Sequence, residues 1–218
     1  QLEIELLSLQ QGEQTLLDSV RLTAAGTTAS HQLNLDLQGL SAQLQGRLEG
    51  GLDIQQSTWS GSLAALGVNS TAFGNWQLVQ AAPLALAPEQ VALGEACLLG
   101  DVLNASGKSD REPARICAGG AWSPAQGGRL EASLRTLALA RLLPGLTGEL
   151  NGDLSAAVAP GGALIARAGL TVSPGEMNVE TSQGAQRLAH GGGELDLAIG
   201  PAGRTASLGF KPLQKGQQ

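Results

Sequence analysis

One glycine-rich run in this chain has the form of a catalytic motif: residues 190–193 read "HGGG". In serine hydrolases such a run points backbone N–H groups at a developing oxyanion, and it works with a nucleophilic serine in a G-x-S-x-G turn. The residues that follow contain only "TASLG" around Ser207, which lacks the first glycine. We therefore predict a glycine-rich turn before the segment "ELDLAIG", and we expect that the chain is not an enzyme.

The two histidines, His31 and His190, lack the neighbours that a metal site needs. A zinc site takes three or four histidine, cysteine or acidic ligands, and neither histidine has such residues at ligand spacing. The acids alternate with leucines, which is typical of the solvated face of strands. We expect no metal and no cofactor. The alternating acids are Glu3, Glu5, Asp36, Glu49, Asp53, Glu149, Asp153, Glu194 and Asp196.

The two cysteines, Cys97 and Cys117, each lie in a short apolar run, "EACLLG" and "ARICAGG". A polar connector separates the runs, so we predict a hairpin that brings the two thiols opposite each other. A disulfide there would close a loop of about twenty residues and contribute about 3 kcal/mol in the chain-entropy model. It would also indicate an oxidising compartment. The alternative is two buried free thiols in a cytosolic protein.

These residues must be positioned by strands, because apolar residues recur at every second position along most of the chain. In "HQLNLDLQGL" the leucines alternate with polar residues, and more than ten further short segments repeat this pattern between Gly, Pro and Asn turns. The pattern predicts an all-β fold. One stretch, "ASLRTLALARLLPG", has leucines near a 3.6-residue period and ends at Pro144, which predicts one short helix near residues 134–143.

The composition limits what can cover the apolar side of such a sheet. Hydrophobic residues make up 42% of the 218, but aromatics only 2%, Tyr is absent and Gly reaches 31 residues. A filled β-sandwich, a β-helix and a curled sheet with an open interior are the competing outcomes. Leucine and alanine separated by glycine leave the inner face underfilled. We therefore favour one long, curled antiparallel or mixed sheet over residues 1–218, a segment of a longer protein, with an open groove and an apolar concave face.

The residues that we expect to line this groove are the apolar ones that keep the strand phase. They are Leu33, Leu35, Leu37, Leu44, Leu48, Leu52, Ile54, Leu63, Trp76, Leu78, Leu150, Leu154, Leu170, Val172, Leu195, Leu197 and Ile199.

Charge and hydropathy exclude two classes of partner. The formal net charge is -6, so there is no basic stripe to replace counterions at phosphates, and we expect no nucleic acid. An anionic membrane surface is disfavoured for the same reason. No run approaches the eighteen apolar residues that read as a membrane-spanning helix.

A constellation between Trp59 and Trp122 is more specific. It contains "WSGSL", "GNWQL", "PLAL", "ACLLG" and "ARICAGGAW" in that order, and "LARLLPGLTGELNGDLS" follows it. Here the chain resembles the periplasmic AsmA-like family, and most closely its TamB branch. The resemblance implies a long taco-shaped β-sheet with an apolar interior.

The resemblance also implies a function and a location. We expect a segment of a bridge across the periplasm of a Gram-negative bacterium, which shields phospholipid acyl chains between the inner and outer membranes. The full-length protein would be anchored in the inner membrane and would meet an outer-membrane barrel partner similar to TamA. The alternative is a scaffold for outer-membrane or autotransporter proteins, in which an exposed strand edge pairs with another chain.

Overall fold

The computed structural model of the chain describes residues 2–11, 14–39, 41–71, 74–100, 112–181, 184–201 and 203–211. Most of these residues lie in strands, and the predicted all-β fold, built on one large antiparallel sheet, is confirmed. The strands are β1 (Leu2–Gln11), β2 (Gln14–Gly26), β3 (His31–Gln38), β4 (Ala42–Asp53), β5 (Thr58–Ser70), β6 (Gly74–Leu78), β7 (Ala82–Ala87), β8 (Gln90–Gly100), β9 (Ala114–Ser123), β10 (Gly127–Ala138), β11 (Glu149–Val158), β12 (Leu164–Val172), β13 (Gly175–Thr181), β14 (Gly184–His190), β15 (Gly193–Gly200) and β16 (Gly203–Phe210).

The main sheet has fourteen strands, and nearly every strand pairs with the one that follows it in the chain. Two short strands, β6 and β7, lie end to end between β5 and β8, so together they fill one strand position. The hairpin β13–β14 forms a separate two-stranded sheet. In the main sheet β12 pairs directly with β15, so the hairpin is an insertion between these two strands in the chain. Sequential pairing of this kind needs only short turns, which the Gly, Pro and Asn residues supply.

The register divides the main sheet into two chemically different faces. Directly opposed residues point to the same side of a sheet, and β2, β3 and β4 place Leu22 opposite Leu35 and Leu33 opposite Leu48. One residue along, Arg21 lies opposite Asp36. We call the side that carries Leu35 the apolar face and the side that carries Asp36 the polar face.

β-Bulges maintain the two faces at places where apolar and polar residues do not alternate strictly. The pairing shifts between Arg47 and Leu48 on β4, between Leu93 and Ala96 on β8, and between Leu134 and Leu137 on β10. Each bulge inserts an extra residue into one strand, so the apolar residues beyond it return to the same face.

The predicted helix near residues 134–143 is wrong. Residues up to Ala138 continue β10, and only Leu139–Arg141 form a single 3₁₀ turn. At the bulge two residues, Arg135 and Thr136, oppose Asn151, and the φ of Thr136 is 53°. The bulge therefore gives the leucines a spacing of three, which resembles a helical period.

The described residues form no helix with the length and hydropathy that crossing a membrane requires.

Side-chain burial is shallow throughout the described chain. The buried cluster consists of Trp76, Ala114 and Leu137, and no large side chain among the described residues is fully buried. The accessible surface is 14925 Å², against about 9,300 Å² for a typical folded monomer of this mass. Among the described elements the contacts run between neighbouring strands, so sheet faces that no second layer of described elements covers contribute to the excess area.

Candidate functional site

The apolar face runs without interruption across the main sheet. From β1 to β5 the opposed pairs include Ile4 with Leu22, Leu37 with Leu44, and Leu44 with Val68. From β8 to β16 they continue with Leu98 opposite Ile116, Ala132 opposite Leu154, and Leu195 opposite Leu208. Small residues at intervening positions leave the face low and smooth. Such a surface can bind an apolar partner without selecting a particular shape.

The structure brings the residues that we predicted to line a groove onto this one face, with a single exception. Ile54 lies in the turn after β4 and is 70% exposed. The others occupy in-register positions on β3, β4, β5, β6, β11, β12 and β15.

Sequence reasoning missed much of the face on β1, β2 and β7 to β10. The signal was available in "SVRLTA", where Val20, Leu22 and Ala24 alternate, and in "QVALG", where Val91 and Leu93 do so. Across β8, β9 and β10 the bulges and the glycines dilute the alternation. Trp59 and Trp122, which carry the family resemblance but are not among the predicted groove residues, also lie on the apolar face.

One end of the apolar face is closed by packing around Trp76. Its ring lies directly over Gly100, where an added Cβ would come within 2.9 Å of ring atoms. Ala114 and Leu137 complete the buried cluster, and Val68, Leu98, Ile116, Leu134 and Leu150 pack against it. Leu139, in the 3₁₀ turn, is also buried. This is the best packed part of the described chain.

The opposite end of the face carries Trp59. Its indole Nε1–H donates a hydrogen bond of 2.8 Å to Nε2 of His31, and Nδ1 of His31 lies 3.1 Å from the carbonyl oxygen of Thr27. With Nε2 accepting, Nδ1 carries the proton and donates to the carbonyl. The hydrogen bonds hold the indole ring beside the backbone of Gly50 and Gly61, where a Cβ would collide with it.

A shallow hollow of about 430 Å³ lies on the apolar face near Trp122. Its lining is almost wholly apolar, and the side chains that form it come from four neighbouring strands, β8 to β11. They include Val91, Leu93, Trp122, Leu130, Ala156 and Val158.

The polar face carries ion pairs between neighbouring positions. Arg21 contacts Glu3 and Glu5 at 3.3 and 3.4 Å, and Arg135 contacts Asp153 at 2.6 Å. These side chains are about half exposed or more, so each pair contributes little to stability. Because these charged side chains are exposed, the polar face is well solvated.

The predicted disulfide is present: Cys97 and Cys117 are directly opposed on β8 and β9, with Cα atoms 4.0 Å apart. It lies on the polar face, because the neighbouring Leu98 and Ile116 occupy the apolar one. Glu95 lies close to both sulfurs. The sulfurs are bonded to each other, so they are not available as thiolate ligands.

The "HGGG" run connects two strands, because His190 ends β14 and Gly193 begins β15. Gly192, with φ of 86°, connects β14 to β15, and Nε2 of His190 lies 3.2 Å from the carbonyl oxygen of Thr147. Ser207 lies on β16 opposite Asp196.

Comparison with known families identifies a family model that matches the chain. A family model described as TamB, N-terminal domain, matches residues 1–211, which confirms the resemblance found in the sequence. Neither the curated proteins nor the solved structures contain a match.

Proposed function

The chain belongs to the TamB family through that family's N-terminal domain, and from this premise we propose that its apolar face shields phospholipid acyl chains in transit. The family is periplasmic and inner-membrane anchored in bacteria, and it is a transport or assembly module. In our proposal this segment is part of a bridge that carries lipid from the inner to the outer membrane. The residues predicted from the strand phase, Leu35 and Leu154 among them, line the groove.

The observation that carries the proposal is the continuous apolar face that the described elements leave partly exposed. Leu154 is 36% exposed and Leu197 41%, although both lie in the interior of the sheet order. Large exposed apolar surfaces on proteins mark binding sites or aggregation hazards. Each CH₂ group removed from water contributes about 0.8 kcal/mol, so an acyl chain on this surface would gain substantial free energy.

The shape of the face suits an acyl chain better than a compact metabolite. Leucine and alanine dominate it. Its described polar groups include the His31 and Trp59 pair at one edge and Arg204 opposite Ile199, and these do not converge on one point that could orient a metabolite. A smooth surface without deep pockets lets a chain slide along it. The disulfide is compatible with an oxidising periplasm.

The test is lipid capture by purified protein and in cells. Organic extraction of the folded protein and mass spectrometry should detect phospholipid. A photo-crosslinking residue at Leu37 or Leu78 should label lipid, whereas the same residue at Asp36 or Gln77, on the polar face, should not. If lipid is missing from the extract and no apolar-face position labels lipid, the proposal is wrong.

A second candidate function is assembly of outer-membrane proteins by strand pairing. Members of the family partner TamA-like proteins. Within the described residues, β1 and β16 are the two ends of the sheet order, so each offers one free edge for another strand. Crosslinkers at edge positions such as Thr205 would then label protein rather than lipid.

A further inference from the structure

The apolar face has two long edges, one at each end of the strands, and these two edges differ in how tightly their side chains are packed. One outermost row is in direct register over eight strands. We call it the open-edge row, and it consists of Leu52, Trp59, Leu86, Val91, Trp122, Gly128, Val158 and Leu164. The opposite ends of β5, β8, β9, β10, β11 and β12, together with β6, form the closed-edge row. It consists of Val68, Trp76, Gly100, Ala114, Leu137, Leu150 and Val172.

The open-edge row exposes large apolar side chains in succession. Leu86 is 40% exposed, Val91 43%, Trp122 49% and Leu164 43%. Val91 and Trp122 also line the hollow on the apolar face. In the closed-edge row Trp76 is 6% exposed and Ala114 2%. An apolar molecule can therefore reach the face past the open-edge row, whereas the Trp76 cluster obstructs the other side.

The turns beyond the open-edge row carry almost no charge. They are residues 27–30, 54–57, 88–89, 124–126 and 159–163, and Glu89 is the only charged residue in them. The remaining residues are mainly Ser, Thr, Gln, Ala, Gly and Pro. A headgroup above these turns would stay hydrated and would meet no ordered set of charges. Trp59 and Trp122 suit the boundary between the apolar face and these turns, because an indole ring is apolar and its N–H is polar. This combination is enriched where lipid meets water.

The width of the face is compatible with a lipid lying crosswise. Leu44 and Leu52 mark the two sides on β4, and eight residues of strand span about 26 Å. One leaflet of the hydrocarbon core of a bilayer is about 15 Å thick. An acyl chain that starts at the open-edge row and follows the strand direction therefore ends on the face, short of the far side.

On these grounds we propose that phospholipid binds with its acyl chains along the strands, its glycerol and headgroup at the Trp59 and Trp122 edge, and its chain ends towards Trp76. The proposal rests on the lipid-shielding function proposed above and adds the orientation of the lipid. It also assigns Trp59 and Trp122 as the residues at the lipid–water boundary. Lipid then moves sideways from strand to strand, with its headgroup in water.

The three tryptophans of the chain allow this orientation to be measured. Three proteins each keep one: Trp59→Phe with Trp122→Phe, Trp59→Phe with Trp76→Phe, and Trp76→Phe with Trp122→Phe. Each is loaded from phosphatidylcholine vesicles that carry a nitroxide on the headgroup, bromine near the carbonyl end of a chain, or bromine near its methyl end. For Trp59 and Trp122 we expect the larger loss of fluorescence with the headgroup and carbonyl-end quenchers. For Trp76 we expect the larger loss with the methyl-end quencher.

A second measurement uses the unsubstituted chain, so that it does not depend on the folding of the variants. Phosphatidylcholine with a photoreactive group on the headgroup should label peptides that contain Val91 or Leu164. With the photoreactive group at the chain end, it should label peptides that contain Ala118 or Ala132, which lie four residues, or about 13 Å, along their strands from Trp122 and Gly128 of the open-edge row.

The outcomes separate the two proposals. Equal quenching of all three tryptophans by every label, or the reverse order, overturns the orientation and leaves lipid shielding in place. No quenching at any tryptophan together with no labelled peptide overturns both, because no lipid is then bound. Circular dichroism spectra of the three variants, compared with that of the unsubstituted chain, establish that each reports on the folded protein.

Discussion

At the scale of single residues, glycine decides where an aromatic ring can lie flat on the sheet. Trp76 has Gly100 as its cross-strand partner, and Trp59 lies beside Gly50 and Gly61. A Cβ at any of these glycines would approach ring atoms within 3 Å. The glycines therefore allow two of the rare aromatic side chains to cover neighbouring strands.

Gly100→Val should destabilise the chain. The new side chain would collide with the Trp76 ring in the best packed cluster, and overpacking of this kind costs about 1–3 kcal/mol. Gly200→Val is the matched control, because nothing lies within 4 Å of a Cβ at that position. Urea unfolding followed by tryptophan fluorescence measures both. Equal midpoints for the two variants would mean that the Trp76 ring does not occupy the space above Gly100.

At the scale of elements, bulges set the phase of the strands. The Leu134 to Leu137 bulge maintains the apolar face along β10, and its extra residue misled the helix prediction. The N–H of Thr136 donates a 2.9 Å hydrogen bond to the side-chain oxygen of Asn151, and its Oγ1 donates to the carbonyl of Pro113. The backbone N–H and the hydroxyl of Thr136 therefore both have hydrogen-bond partners. Thr136 nevertheless has a left-handed φ, which few non-glycine residues adopt.

Deletion of Thr136 should be tolerated. Removing one of the two residues that oppose Asn151 turns the bulge into a regular ladder, and Leu137 stays on the apolar face. Deletion of Ala132 is the control, because a one-residue slip in a regular part of β10 moves a set of leucines to the opposite face. Thermal unfolding should show a small change for the first and a large loss for the second. The reverse order would contradict the bulge assignment.

The disulfide is a second element-scale feature, since it joins β8 and β9 close to the Leu93 to Ala96 bulge. In protein made in an oxidising compartment, neither cysteine should react with a thiol reagent under denaturing, non-reducing conditions. After reduction both should react. Quantitative labelling without reduction would reject the bond.

The combined substitution Cys97→Ser with Cys117→Ser should lower the free energy of unfolding by about 3 kcal/mol, because the bond closes a loop with a sequence separation of 20. Urea unfolding gives this value. Lipid capture by the folded variant should be unchanged, because the bond lies on the polar face.

At the scale of the whole molecule, one sheet with two unlike faces replaces the usual closed core. Stability comes from neighbouring strands and from a small cluster around Trp76, while much of the apolar face stays accessible. The same property makes the face available to a ligand. In our proposal, bound lipid covers the apolar side chains that the protein alone leaves partly exposed.

Leu35→Asp should reduce the lipid that co-purifies with the chain much more than Asn34→Asp does. Both changes introduce the same residue on β3, but Leu35 faces Leu22 and Gly46, whereas Asn34 faces Thr23 and Arg47. A carboxylate on the apolar face must be desolvated to meet an acyl chain, and that cost is large. The readout is lipid per protein by mass spectrometry. Equal loss in both variants would indicate that the strand phase has no role in lipid binding.

The sequence by itself determined the all-β architecture, the cysteine pair, and the face on which the predicted apolar residues of β3, β4, β11, β12 and β15 lie. These features depend on a period of two and on short turns, which are local and visible in residues such as Leu33, Leu35 and Leu37. The same local reasoning failed at Leu134 and Leu137, where a bulge that forms only against β11 alters the spacing. It also placed Ile54 on the apolar side, although β4 has ended before that residue.

The tertiary structure decided which strands are neighbours, where the bulges restore the phase, and which edge of the apolar face is open. Trp59 and Trp122 are 63 positions apart in the sequence, so no local pattern relates them. The register of β5, β7, β8 and β9 places both in one row. Trp76 becomes buried because Gly100, Ala114 and Leu137 come from three other strands. Pairing between strands is a non-local interaction, and its register emerges only when both partners are in place.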